Sequence, residues 1–163
     1  MFYVALYLIA IVLANLLVAR FGPESVIIVA FLFIGLDLTA RDHLHDAWRG
    51  EGLAWKMALL IAAGSLLSWL LNREAGPVAV ASFVAFAAAA TVDAVVYHLL
   101  YRYPRFLRIN GSNVPSAAVD SVLFPTLAFG SFLPLIVLGQ FAAKVGGGFV
   151  WSLLFRWLER ARR

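Results

Sequence analysis

The sequence predicts an all-α integral membrane protein with six transmembrane helices and both termini in the cytoplasm. Its 163 residues are 63% hydrophobic and only 13% charged, with a mean hydropathy of +0.90. A soluble domain of this length would need a far more polar surface. The chain also divides into apolar runs near the roughly 20 residues that cross a hydrocarbon core. We therefore expect residues 1–163 to form a single transmembrane domain.

Turn and breaker residues set the expected helix boundaries. The first apolar run ends at Arg20, Gly22 and Pro23, and proline suits the start of the next helix. The expected helices are 2–19, 24–42, 53–71, 77–101, 112–131 and 135–158. The chain is apolar from Phe2 without a basic leader, so the first run is expected to be a retained helix and not a cleaved signal peptide.

The distribution of cationic residues predicts the orientation. With six helices, both ends of the chain lie on one side, together with Arg41, Arg49, Lys56, Arg102, Arg105, Arg108, Arg156, Arg160, Arg162 and Arg163. The other side holds Arg20 and Arg73. Because cytoplasmic loops are enriched in lysine and arginine, both termini are expected in the cytoplasm, with the protein multi-pass in a bacterial inner membrane. Five or seven helices would scatter these charges.

Composition and motifs argue against several other functions. The net charge of +4 comes from topology-setting residues and gives no indication of nucleic-acid binding. Without cysteine, neither a disulfide nor a thiolate metal site can form. His43 and His45 face different ways on a helix, and Asp46 brings no third strong ligand, so no metal is expected there. No nucleophile or oxyanion motif indicates an enzyme, and no cofactor is expected.

The stretch SNVPSAAVDSVLF at 112–124 combines membrane-helix character with polar residues. Spacings of three and four place Asn113, Ser116 and Asp120 on one helical face. A carboxylate near the bilayer centre costs at least about 2.5 kcal/mol on insertion scales, so it normally faces a protein interior or a wet cavity. Asp120 is therefore the first candidate for a functional site.

Other charged residues are expected at a similar depth. Counting about 1.5 Å per residue from the expected helix ends places Asp93, Asp120 and Lys144 near the midplane. Asp37 lies somewhat towards the cytoplasm. Three carboxylates and one ammonium from four helices indicate a membrane site for a polar solute.

Each of these charges also has a purely structural interpretation. Asp37 and Arg41 are four residues apart and could pair at a helix end. Lys144 could form an ion pair with one of the aspartates and hold the helices together. Both interpretations stay open at the level of the sequence.

The remaining polar residues have structural alternatives as well. Asp93 could accept a hydrogen bond from Tyr97 or Thr91 and have no further role. Asn15 and Gln140 could be solute ligands, or they could join helices through side-chain hydrogen bonds.

The chemistry of these groups fits a planar, nitrogen-rich ring. A carboxylate accepts two parallel N–H bonds, as from an amino-pyrimidinone edge, while amides and lysine can meet acceptor atoms. Four phenylalanines could stack on the ring, although the same residues also suit lipid or core packing: Phe33, Phe83, Phe86 and Phe124. Alternatively, a buried carboxylate could cycle a proton and couple it to transport.

Four segments resemble the queuosine-precursor transporter family, also called the vitamin uptake transporter family. They are GLDLTARD at 35–42, TVDAVVYHLLY at 91–101, SNVPSAAVDSVLF at 112–124 and GQFAAKV at 139–145, and Asn15 in ANLLV fits the family's first helix. The resemblance implies a six-helix fold similar to the substrate-binding subunits of energy-coupling-factor importers. It also implies uptake of 7-deazaguanine bases, typically 7-cyano-7-deazaguanine, for tRNA modification or related DNA modification.

The resemblance also implies site residues. Asn113, Asp120 and Lys144 correspond to family motif positions, with Asp37 and Asp93 as weaker correspondences. In the leading hypothesis, Asp120 binds the amino-pyrimidinone edge and Asn113 fixes the orientation of the ring. Lys144 meets a carbonyl or nitrile acceptor, or it is the counter-charge that keeps Asp120 ionised.

Two further hypotheses compete with a self-sufficient transporter. The chain could be a substrate-binding subunit for a vitamin-like solute that needs a separate ATPase module, docked on the small-residue run 85–90. It could also be a structural membrane protein whose buried charges are ion pairs. The expected partners are a nucleobase-like small molecule and the lipid bilayer, with either an energising subunit or a second copy of the chain.

Overall fold

The computed structural model describes residues 2–34, 44, 47, 48 and 52–161. Within these ranges the chain is helical, without strands, as the sequence predicts. The helices are α1 (Phe2–Phe21), α2 (Val26–Val29), α3 (Leu53–Leu71), α4 (Gly76–Leu99), α5 (Arg105–Phe129) and α6 (Pro134–Ala161). A 3-10 turn at Pro23–Ser25 precedes α2, and a π-helical turn at Ala30–Ile34 continues it; we call these three elements together the α2 segment. A 3-10 turn at Arg73–Ala75 precedes α4.

The helix boundaries follow the sequence closely except at the start of α5 and in the second expected helix. Helix α5 begins at Arg105 and not near residue 112, because Pro104 provides the helix start and the polar first turns continue the same helix. Gly130, with φ of 67°, ends α5 in the left-handed conformation, and Pro134 opens α6. Gly130 and Pro134 thus place the boundary between the expected helices 112–131 and 135–158.

The second expected helix, 24–42, is not a regular α-helix over its described part. Its first residues form a 3-10 turn, then a single α-helical turn, then the π-helical turn Ala30–Ile34. Such π-turns are rare and often accompany functional sites. The rest of this predicted helix, from residue 35 onward, lies outside the described residues.

Short turns gather three pairs of helix ends at one end of the bundle. The turns at 22–25, 72–75 and 130–133 connect antiparallel neighbours there, and we call it the three-turn end. Helix α4 packs most extensively on α5, α1 packs on α3, and α6 packs on α5 and on the α2 segment. The described cations at the three-turn end are Arg20 and Arg73, as the predicted orientation requires.

Small residues allow these close helix contacts. A methyl group on Gly64 of α3 would lie 2.9 Å from the Ile11 side chain of α1. On α6, Gly139 lies against Ile27, and a methyl group on Gly147 would lie 2.9 Å from the carbonyl oxygen of Phe31. Small residues spaced along one face let helices approach closely, as is common inside membranes.

The small-residue run 85–90 divides between the interior and the surface of α4. Ala85 and Ala89 are buried, whereas Ala87 and Ala90 are exposed. Two of the six residues thus pack inside the bundle, Phe86 and Ala88 are half-buried, and two alanines are fully available to a partner.

Length and composition identify two described helices that could cross a membrane. They are Phe2–Phe21 and Arg73–Leu99, while Pro23–Phe33 and Trp55–Leu71 are apolar but shorter. Many large apolar side chains point outward, including Leu135 at 82% exposure. An apolar exterior of this kind suits a lipid environment. The count of six spans and the cytoplasmic location of both termini stay predictions.

Candidate functional site

A cavity lies inside the bundle, in the half nearer the three-turn end. Its walls come from α1, the α2 segment, α3, α4, α5 and α6. The cavity volume is about 60 Å³, enough for a few water molecules, so a larger solute requires the surrounding side chains to move apart. Its polar lining residues are Asn15, Ser82, Asp120 and Gln140. The rest of the lining is apolar, so these few polar groups determine what the cavity can bind.

A buried ion pair stands at the α5–α6 side of the cavity. Nζ of Lys144 forms an ion pair with Oδ2 of Asp120, and their side chains are 3% and 16% exposed. Asp120 lines the cavity, whereas Lys144 is buried behind it. Leaving either charge alone in such surroundings would be strongly unfavourable. Lys144 therefore compensates a carboxylate that faces the cavity.

Helical spacing places Asp120 among its neighbours. Ser116, Asp120 and Phe124 are each four residues apart and share one face of α5. Ser116 is buried one turn before Asp120 but does not line the cavity, whereas Phe124 does. On α6, Gln140 and Lys144 share a face in the same way. The α5–α6 contact then brings these two faces together.

A hydrogen-bonded chain supports the opposite side. Asn15 of α1, 3% exposed, donates through Nδ2 to Oγ of Ser68 at 3.1 Å. Ser68 of α3 in turn donates through Oγ to the carbonyl oxygen of Gly64 at 2.7 Å. Asn15 therefore both joins α1 to α3 and lines the cavity. The structure thus shows the helix-joining role for Asn15, and its role as a solute ligand stays a prediction.

Gln140 contributes a further buried acceptor. Its side chain is 1% exposed, and no described residue donates a hydrogen bond to its Oε1 atom. Buried polar groups are nearly always satisfied, so an unsatisfied acceptor on a cavity wall is consistent with a ligand partner.

Three of the four predicted stacking residues reach the cavity. Phe33, Phe86 and Phe124 line it from the π-helical turn, α4 and α5. The prediction is wrong for Phe83, which is 39% exposed and lies in a separate groove on the outside of α3 and α4. Phe83 and Phe86 are three residues apart on α4, and the orientation of α4 about its own axis turns Phe86 to the cavity and Phe83 to the outer groove.

Asp93 does not join this group. It lies about 25 Å along α4 from Gly76, whereas Asp120 and Lys144 lie about 15 Å from the three-turn end, at about 1.5 Å per residue. Its Oδ1 atom accepts from no described residue. Thr91 donates to the carbonyl oxygen of Ala87 at 2.8 Å, so the expected bond from Thr91 to Asp93 is absent.

Asn113 is another predicted site residue that lies apart from the cavity. Asn113 is half-buried on the first half of α5 and does not line it. Asp37, together with the loop residues His43, His45 and Asp46, lies outside the described residues. Among the described residues, no group of three histidines or acidic residues could hold a metal ion.

Ser68 and Ser82 are the polar site residues that sequence reasoning missed. Ser68 is completely buried, and its only signal in the sequence is its spacing of four from Gly64, a small-residue pair that marks a helix contact. Ser82 sits in an otherwise apolar stretch of α4, where serine gives no signal of its own.

An apolar helical bundle with a sparsely polar internal cavity suits a membrane solute carrier or solute-binding protein. The vitamin uptake transporter family model matches residues 3–158. The chain belongs to this family, which confirms the transporter part of the resemblance seen in the sequence. No curated protein and no solved structure matches the chain.

Proposed function

We propose that the protein imports a 7-deazaguanine queuosine precursor, such as 7-cyano-7-deazaguanine, across the bacterial inner membrane. The observation that carries this proposal is the Asp120 carboxylate on the cavity wall with Lys144 behind it. The positive charge of Lys144 compensates the negative charge of the carboxylate in these apolar surroundings. An ionised carboxylate accepts two parallel N–H bonds, which is the pattern of an amino-pyrimidinone edge.

The roles of individual residues follow from their positions. Since Lys144 pairs with Asp120 and is buried behind it, the counter-charge role is favoured over direct contact with the solute. Asn15 and Gln140 take the orienting role first expected of Asn113, because they line the cavity and Asn113 does not.

The apolar part of the lining suits a flat ring. Phe33, Phe86 and Phe124 approach from three different elements. Aromatic faces in stacked or edge-on contact stabilise a bound ring by about 0.5–1.5 kcal/mol per pair beyond simple burial. A charged or strongly branched solute would gain little from such walls.

The location of the cavity supports uptake. It lies nearer the three-turn end, which carries few cationic residues. Under the positive-inside rule that end faces away from the cytoplasm. A site at this height would receive solute from outside the cell.

A thermal-shift series on detergent-purified protein tests the substrate. The compounds are 7-cyano-7-deazaguanine, 7-aminomethyl-7-deazaguanine, guanine, biotin and riboflavin. A ligand at about one hundred times its dissociation constant adds roughly 2.7 kcal/mol of stability. Stabilisation by deazaguanines alone supports the proposal. Stabilisation by a vitamin alone, or by none of the compounds, rejects the proposed substrate.

Proteoliposomes that contain only this protein test its mechanism. Accumulation of the labelled base without an added ATPase is expected of a self-sufficient transporter. Binding without translocation would show that a separate energising module is required.

A further inference from the structure

The Asn15–Ser68–Gly64 chain determines which end of the Asn15 amide is free. A serine hydroxyl has one proton and two lone pairs. The Ser68 proton is directed to the carbonyl oxygen of Gly64. Ser68 can therefore only accept from Asn15, and it does so from Nδ2. If the amide were flipped, Oδ1 of Asn15 would face Oγ of Ser68, which has already donated its proton to Gly64, and no hydrogen bond could form.

The fixed amide leaves an oxygen for the cavity. No described residue donates to Oδ1 of Asn15, and the residue lines the cavity. Gln140 likewise presents Oε1 without a described donor. Together with the Asp120 carboxylate, three side chains on the cavity wall therefore offer acceptors.

These acceptors approach from different sides. Helix α1 packs against α3, α4 and the α2 segment, whereas α5 and α6 pack on each other. A ring whose one edge is bound by Asp120 thus meets Asn15 with another edge. An acceptor atom at that second edge would be repelled by the lone pairs of the Asn15 oxygen, whereas an N–H donor there would form a hydrogen bond with it.

We infer that Ser68 is a positioning residue that holds Asn15 as an acceptor, so that the cavity selects ring solutes with N–H donors on two edges. The inference rests on the proposed function, because it assumes that Asp120 binds the first edge. It adds a residue and a selection rule that the proposed function does not contain. A 7-deazaguanine meets the rule through its amino-pyrimidinone edge and the N–H of its five-membered ring.

A pair of isosteric ligands tests the rule without adding bulk. One is 7-cyano-7-deazaguanine, and the other is its furopyrimidine analogue, in which an ether oxygen replaces the N–H of the five-membered ring. Dissociation constants are measured for both with the purified protein. The wild type is expected to bind the N–H compound at least about tenfold more tightly. In the analogue, the ether oxygen would face the acceptor oxygen of Asn15, and the two cannot form a hydrogen bond.

Substitutions then test the role of Ser68. Ser68→Ala releases the Asn15 amide, which can turn its NH2 group to the ether oxygen, so the affinity ratio should fall towards one. Ser65→Ala is the matched control, since Ser65 lies on the same helix but in the outer groove. It should keep the wild-type ratio. Asp120→Asn should weaken both ligands equally and leave the ratio unchanged.

The outcomes are separable. If the wild type binds both compounds equally, the selection rule is wrong and the proposed function stands. If Ser68→Ala keeps the wild-type ratio, Ser68 does not position Asn15. If the wild type binds neither compound, the proposed function falls and the inference falls with it. Thermal unfolding of each variant verifies that it is folded.

Discussion

The protein has two hollows that differ in size and in character. The central cavity, about 60 Å³, is lined by six helical segments and holds a carboxylate and two amides. The outer groove is larger, about 410 Å³, and lies within the single hairpin of α3 and α4. Its lining residues are Ala62, Ser65, Leu66, Trp69, Gly76, Ala79, Val80 and Phe83. Size alone would favour the groove as a binding site, whereas the polar lining contributed by several helices favours the cavity.

The difference has a physical cause. One hairpin can present two apolar faces with small residues between them, which is enough to form a groove. Polar groups meet only where several helices converge and shield them from lipid, because an isolated polar group in hydrocarbon is costly. The groove has one buried polar oxygen, on Ser65, and no described residue bonds to it. In the cavity, Asp120 and Asn15 have partners, and Oε1 of Gln140 is the acceptor that no described residue bonds to.

The largest expected effect is at the ion pair. Asp120→Asn should abolish uptake, because an amide has a single acceptor oxygen and presents a donor where a carboxylate has its second oxygen, so it cannot receive two parallel N–H bonds. It should also destabilise the fold by about 3–5 kcal/mol, because Lys144 is left buried without its counter-charge. Uptake of labelled base and thermal unfolding measure the two effects.

A double variant separates the two effects. Asp120→Asn combined with Lys144→Met removes both charges and should recover most of the lost stability, while uptake stays absent. Normal uptake in the double variant would contradict the role of Asp120. Equal instability of the single and double variants would contradict the ion pair.

An intermediate effect is expected where the cavity depends on long-range packing. Gly147→Ala places a methyl group 2.9 Å from the Phe31 carbonyl oxygen, which should destabilise the protein by about 1–3 kcal/mol. Gly146 is the matched control, since nothing lies within 4 Å of its added methyl group. Gly146→Ala should stabilise by up to about 1 kcal/mol through helix propensity. Equal unfolding temperatures for the two variants would argue against close packing of α6 on the π-helical turn Ala30–Ile34.

The smallest effect compares two phenylalanines on α4. Phe86→Leu removes an aromatic wall of the cavity and should weaken ligand binding by about two- to twelvefold, which corresponds to roughly 0.5–1.5 kcal/mol. Phe83→Leu changes only the outer groove and should leave the affinity unaltered. Titration of both variants with the same ligand decides the point. A larger loss in Phe83→Leu would mean that the groove is the binding site.

The sequence by itself predicted most helix ends and the identity of the buried charges. Helix α3 spans the expected range of 53–71 because apolar length, glycine and proline act locally. The 3.6-residue period likewise places Ser116 and Asp120 on one face without knowledge of the fold. The cost of burying a charge marked Asp120 and Lys144 as candidates before any partner was known.

Only the tertiary structure decided which of these residues meet. Lys144 pairs with Asp120 and not with Asp93, and Phe86 faces the cavity while Phe83 does not. The relative height and rotation of the helices set these outcomes, and both depend on contacts between residues far apart in the chain, such as Gly147 with Phe31. Sequence period specifies the faces of each helix, but packing specifies which faces share a cavity.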